Sequence, residues 1–201
     1  MRNILVNNLV ALIVSTPFIA NASDNYNYFV GLDVGTRISG KLEQQRQYLT
    51  GSYEGVETSS YDLRAQPIVG LNSGVIINNN HRIKMSFVYD DIKPDDAPEG
   101  VDLGVISINY DYILPLFEKL SWTTGVHMGY EFAFDNDLND IHGTIGGVQT
   151  GIDYKFAKNW SLGGEISLTT HEQQNLSSNY VYRTVKIEDD VALITNIQYH
   201  F

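Results

Sequence analysis

Apolar and polar residues alternate with a period of two along most of this chain, in segments at about 26–39, 60–72, 81–90, 103–113, 120–132, 143–156, 160–171 and 185–201. That period turns successive side chains to opposite faces and predicts β-strands. In the first segment Tyr28, Val30, Leu32, Val34 and Ile38 share one face, while Gly31, Asp33, Gly35 and Arg37 share the other. The second sets Leu63, Ala65, Pro67, Val69 and Leu71 against Asp62, Arg64, Gln66 and Asn72. In the third, Ile83, Met85, Phe87 and Tyr89 oppose Arg82, Lys84, Ser86 and Asp90. The fourth breaks phase: Ile106, Ile108, Tyr110 and Tyr112 hold it, but Leu103 and Val105 fall on the polar face. Either a bulge lies near Gly104 or two aliphatics point the other way. Pro67 is also awkward, because a closed sheet has no free edge to excuse its missing N–H.

The connections alternate in length. Ser73–Asn80, Leu114–Lys119 and Ala157–Asn159 are short, whereas Gly40–Ser59, Asp91–Asp102, Ala133–His142 and Glu172–Thr184 are long. Each strand reaches the ~9–11 residues that cross a bilayer, and short turns at one rim with long loops at the other are the pattern of a transmembrane barrel. A soluble sandwich would alternate too; the aromatics separate the two. Tyr28, Tyr110, Tyr112, Trp122, Tyr154, Trp160 and Tyr199 fall on the apolar phase at the short-turn ends, and Phe87, Tyr89, Tyr130 and Phe132 at the opposite ends. Two girdles around an aliphatic band are what a bilayer interface selects, and a sandwich has no reason to sort aromatics by height. The predicted fold is all-β: an eight-stranded antiparallel transmembrane up-and-down β-barrel.

Charge and composition narrow the classes. Arg2, the apolar run from Leu9 to about Ile19 and Ala20-Asn21-Ala22 together read as a secretory signal peptide, so residues 1–22 are expected to be removed and 23–201 to form the barrel domain. Loss of Arg2 takes the net charge from −11 to −12, which excludes nucleic-acid binding by phosphate neutralisation. Without cysteine there is no disulfide, thiol nucleophile or lipid anchor.

The polar face carries Asp33, Arg37, Asp62, Arg64, Arg82, Lys84, His127, Glu131, Asp153 and Glu165. An eight-stranded interior is only wide enough for its own side chains, and buried charge is costly unless paired. A charge network of Asp33, Arg37, Arg64, Lys84, Glu131, Asp153 and Glu165 is therefore expected to plug the lumen, with an Arg64–Glu131 pair near its outer end; a gated ion path along it is the alternative. Asp135-Asn136-Asp137-Leu138-Asn139-Asp140 begins like a calcium loop, but Asp140 replaces the required Gly and Gly146 the bidentate Glu. With Asp90, Asp91, Asp95, Asp96 and Glu99 on the neighbouring external loop, a solvated acidic loop is the main reading and a loose divalent-cation site the other. No His/Ser/acid arrangement stands out, and no catalytic residue, cofactor or metal ligand is expected.

The final residues, Val191 to Phe201, form an alternating strand that ends in an aromatic. Here the chain resembles the small bacterial outer-membrane β-barrels, the OmpA-type and opacity-protein-like porin-like barrels. The resemblance implies a Gram-negative outer-membrane location, a last strand that closes the barrel, and Phe201 as the signal read by the assembly machinery. It implies surrounding lipid and lipopolysaccharide, periplasmic chaperones, a monomer, and an extracellular ligand or host surface left open. Lipid A deacylases of this shape carry a His and a Ser two residues apart; the nearest match, His142-Gly143-Thr144, lacks the Ser. Omptin-type proteases need a larger barrel. The leading expectation is a structural and surface-interaction protein, followed by a narrow channel for small or apolar solutes, then a lipid-modifying enzyme.

Overall fold

The computed structural model describes residues 25–48, 56–62, 67–92, 101–134, 142–177 and 181–201. The predicted signal segment therefore lies outside the described residues. Eight strands close into an antiparallel barrel: β1 (Tyr26–Ser39), β4 (Pro67–Ile77), β5 (His81–Ile92), β6 (Val101–Pro115), β7 (Leu120–Ala133), β8 (His142–Ala157), β9 (Trp160–His171) and β12 (Asp190–His200). Around the wall the order is β1, β12, β9, β8, β7, β6, β5, β4, so closure joins the first strand to the last. Phe29 faces His200 and Arg37 faces Ala192 across that seam. The rim with the short connections, where β1 begins and β12 ends, is the inner rim; the rim with the long connections is the outer rim.

Phase explains the wall. Val34, Val69, Ile108, Val126 and Ile152 are exposed along its outside, and Met128 is 70% exposed. Such a surface is stable only against hydrocarbon. At the inner rim Tyr110, Tyr112, Trp122, Tyr154 and Trp160 are exposed, while Tyr28 and Tyr199 are half-buried. The rings brace one another: Trp160 meets Tyr199 at 5.1 Å and Tyr199 meets Phe201 at 5.3 Å, both edge to face. The Trp122 indole N–H donates to Thr150 Oγ1 at 2.7 Å, so its polar end is satisfied. At the outer rim Phe132 and Phe134 meet at 5.2 Å and Tyr89 and Phe134 at 5.9 Å.

Several sequence expectations change. The second barrel strand is not 60–72 but β4, and its turn is not Ser73–Asn80 but Asn78–Asn80 alone. Asn78 and Asn79 take φ of 52° and 62°, the paired left-handed conformation of a tight hairpin, which Asn tolerates. Gly74, within the expected connection, lies inside β4 and makes room for Phe29, whose ring end would lie 2.7 Å from an added Cβ. Pro67 opens β4, the position where a strand tolerates proline.

Gly104 carries no bulge. The β5–β6 and β6–β7 registers run without a shift; Leu103 points inward at 1% exposure, and Val105 borders a cavity in the lumen. Gly104 lies instead beneath Phe132 and Phe134, each with a ring atom 2.8 Å from where a Cβ would stand.

Two of the long connections are not loops. β2 (Lys41–Tyr48) and β3 (Val56–Asp62) form one hairpin, β10 (Gln174–Ser177) and β11 (Val181–Ile187) another, and β11 pairs with β2 to give a four-stranded sheet in the order β10, β11, β2, β3. Only Gly40 separates β1 from β2, and only Glu188 and Asp189 separate β11 from β12, so two barrel strands run on past the outer rim. The Glu188 N–H donates to the Lys41 carbonyl at 2.8 Å across that junction. Asp62, expected in the lumen, pairs with Lys41 in this external sheet.

Candidate functional site

The lumen is built in tiers, because inward residues of neighbouring strands reach the same height. At the outer tier Arg37 of β1 contacts Asp90 of β5 at 2.6 Å and Asp190 of β12 at 2.7 Å. The Nε contact to Asp190 is an ion pair too bent to be a hydrogen bond. His171 of β9 reaches Glu131 of β7 through Nδ1 at 2.9 Å and Asp190 through Nε2 at 3.1 Å. Carboxylates only accept, so this arrangement is complete when the ring carries both protons.

The middle tier crosses the barrel. Lys84 and Glu165 stand on β5 and β9, opposite each other in the wall, and approach to 3.4 Å. The Asn72 amide donates to Asp33 at 2.8 Å. Below them Arg82, 1% exposed, donates through Nε to Asp111 at 2.7 Å and through Nη1 to Asp153 at 2.6 Å. Gln149 donates to the second oxygen of Asp111 at 2.6 Å, and His127 bridges Gln149 and Thr169 at 2.7 and 3.2 Å.

Of the network expected from sequence, then, Asp33, Arg37, Lys84, Glu131, Asp153 and Glu165 all have lumen partners, whereas Arg64 lies outside the described residues. Glu131 is held by His171. Asp90, expected on a solvated acidic loop, is a buried counter-ion of Arg37. The rest of the calcium-like segment and Asp95, Asp96 and Glu99 lie outside the described residues. Among those described, no group of three or more acidic, His or Cys side chains is placed to hold a metal. His171 was legible: it continues the lumen phase of Ser161, Gly163, Glu165, Ser167 and Thr169. Asp111 was harder, because the broken phase of its strand hid which face it takes.

Arg82 and Asp111 lie between two cavities. The outer holds about 100 Å³ and is bordered by Asp33, Arg37, Lys84, Glu165 and His171. The inner holds about 260 Å³ at the inner rim, bordered by Asn27, Lys155, Ser161, Gln198 and His200. Here Ser161 of β9 and His200 of β12 lie 2.8 Å apart, Oγ to Nε2, and His200 Nδ1 lies 2.8 Å from Asn27 Oδ1 of β1. Sequence reasoning missed this group, since the three residues are far apart in the chain and meet only when the barrel closes.

No protein-family model matches the chain, and no curated protein sequence matches it. Solved structures do. The outer membrane protein OprG from Pseudomonas aeruginosa aligns over 88% of this chain and 96% of its own, with 11% identity and a TM-score of 0.62. Neisserial surface protein A aligns over 87% and 97%, with 15% identity and a TM-score of 0.58. The outer membrane protein AlkL, solved in lipid bilayers, aligns over 88% and 90%, with 12% identity and a TM-score of 0.59. The fold is that of the small outer-membrane β-barrels, and the apolar belt with its two girdles is the surface which that location demands.

Proposed function

We propose that this chain is a structural and surface-interaction protein of the Gram-negative outer membrane, acting through the sheet it raises above the outer rim. The observation that carries this reading is the pairing of β2 with β11, which joins two separate connections into one ordered surface. Connections that only had to close the barrel could be short, as those at the inner rim are. Beneath that sheet the lumen is spanned by buried ion pairs at three heights, which favours a plug over a solute path. The partner is an extracellular ligand or host surface, reached by a monomer embedded in lipid and lipopolysaccharide. Residues 1–22 serve export, and Phe201, whose N–H donates to the Tyr28 carbonyl at 3.0 Å, is the residue read by the assembly machinery.

Planar-bilayer recording of the purified protein tests the plug. The surface role expects no conductance above bare lipid in 1 M KCl (about 1 M, where a ~3 Å screening length weakens surface-charge effects), and stable single-channel steps would favour the channel reading. An epitope inserted between β2 and β3 is expected to bind antibody on intact cells. Binding only after the cells are broken would overturn the orientation.

A further inference from the structure

We propose that Ser161, His200 and Asn27 form a nucleophilic hydrolase site at the inner mouth of the barrel, acting on short-chain carboxylic esters. This goes beyond the surface role and lies at the opposite end of the molecule, so its failure would leave that role untouched.

The hydrogen bonds set the tautomer. Asn27 Oδ1 can only accept, so the Nδ1 facing it at 2.8 Å carries the ring proton. Nε2 of the neutral ring is then left with its lone pair towards Ser161 Oγ, 2.8 Å away. That is the relation of nucleophile, base and orienting group which activates a serine, with an amide oxygen in the orienting place. His200 is held in other ways as well, through its ring and its backbone. Phe29 packs against it with ring centroids 5.9 Å apart, and Asn159 Nδ2 donates to the His200 carbonyl at 2.6 Å.

Two further observations point to a ligand rather than to a buried polar contact alone. Ser161 and His200 border the cavity of about 260 Å³, so the nucleophile faces space. On the same wall Gln198, 1% exposed and paired in register with Ser161, has an Nε2 with no hydrogen-bond partner among the protein's own groups. An unsatisfied buried donor is costly, and a donor kept for charge that develops during reaction is one reason to keep it. The cavity is smaller than the ~300–1,000 Å³ of sites for drug-sized ligands, which suits a short acyl group and excludes a whole phospholipid.

The steps balance. Ser161 Oγ attacks the ester carbonyl while its proton passes to His200 Nε2, and the Gln198 amide donates to the oxyanion. The bond to the alcohol oxygen breaks as His200 returns the proton to it. Water then gives a proton to His200 and attacks the acyl carbon, and the acyl–Oγ bond breaks as the proton returns to Ser161. Ser161, His200 and Gln198 are the catalytic residues, and Asn27 positions the base.

The full chain folded in detergent micelles would be assayed with p-nitrophenyl acetate and labelled with an alkyl fluorophosphonate, followed by peptide mass spectrometry. The expected result is phosphonylation of Ser161 and a fall in hydrolysis of about 10²-fold or more in Ser161→Ala, in line with the loss of other activated nucleophiles. Gln198→Leu is expected to lower kcat by about 10-fold or more with little change in KM. Asn27→Leu should slow hydrolysis, and Asn27→Asp should restore it, a rescue that a purely structural role would not give. Heat-modifiable migration on gels checks that each variant forms the barrel. Equal hydrolysis by folded wild-type and Ser161→Ala, with Ser161 unlabelled, would overturn the proposal.

Discussion

The two ends of the lumen solve the same problem in opposite ways. At the outer end polar groups are spent on each other: Arg37 and His171 lie among Asp90, Asp190 and Glu131, and every one of these side chains contacts an opposite partner from another strand. At the inner end they leave room, with a cavity more than twice as large and neutral groups, Ser161, His200, Asn27 and Gln198, along one wall. The difference teaches where stability and chemistry separate. Ion pairs lock the end that carries the four-stranded sheet, and neutral hydrogen bonds join the groups along this wall at the inner rim.

That contrast breaks most directly at Arg37. Replacing it with Met removes the guanidinium that contacts both Asp90 and Asp190, and the barrel is expected to lose about 3–5 kcal/mol, the usual result of deleting one partner of a buried ion pair. Urea unfolding in detergent would measure it, with Asn27→Leu at the other end expected to cost only about 1 kcal/mol, the worth of one ordinary hydrogen bond. Equal losses at both ends would end the comparison. Glu131 and His171 sharpen it: a double-mutant cycle with Glu131→Gln and His171→Asn is expected to give a coupling of about 0.5–3 kcal/mol. Additive losses would mean that the two side chains do not meet.

A smaller thermodynamic effect is expected at the inner rim on deleting Phe201. Its ring contact with Tyr199 is worth about 0.5–1.5 kcal/mol beyond burial. The assembled barrel in cells should fall by more than that loss explains, and unchanged levels would remove its role in assembly. The smallest effect belongs to Glu172, just past the end of β9 and fully exposed. Hydrogen bonds from the Thr144 backbone N–H and hydroxyl hold its carboxyl below the ordinary range. A depressed carboxylate contributes above its unfolded pKa, and the contribution is lost as pH falls through the folded value. NMR titration should place Glu172 below an ordinary Glu, and Thr144→Val should move it back up.

How much of this was legible depended on contrast between faces. Where lipid lies on one side and lumen on the other, alternation is enforced residue by residue, and the chain from Leu120 to Ala133 reads directly as a strand. Leu103 defeated that logic because other aliphatics, Ile68, Ile145 and Ala192, are also buried inside the wall, so the phase need not be perfect. β2 and β3 were read as loop because Lys41-Leu42-Glu43-Gln44-Gln45-Arg46-Gln47 is polar on both faces, as a sheet standing in water can be. In the lumen, strand phase fixed which residues face inward. It could not fix which of them meet, since Ser161, His200 and Asn27 are joined only by barrel closure, and Glu131 finds its partner two strands away around the wall.

The run-on of β1 into β2 and of β11 into β12 makes the external sheet a lever on the seam. A tug from any bound surface would pass down two strands that pair with each other in the wall, loading their ladder lengthwise. Rows of parallel bonds strained together in shear resist far better than bonds opened one after another, as in a zipper. The same two strands also join the first and last segments of the barrel, so this anchorage bears its tension along the very line where the cylinder was sealed.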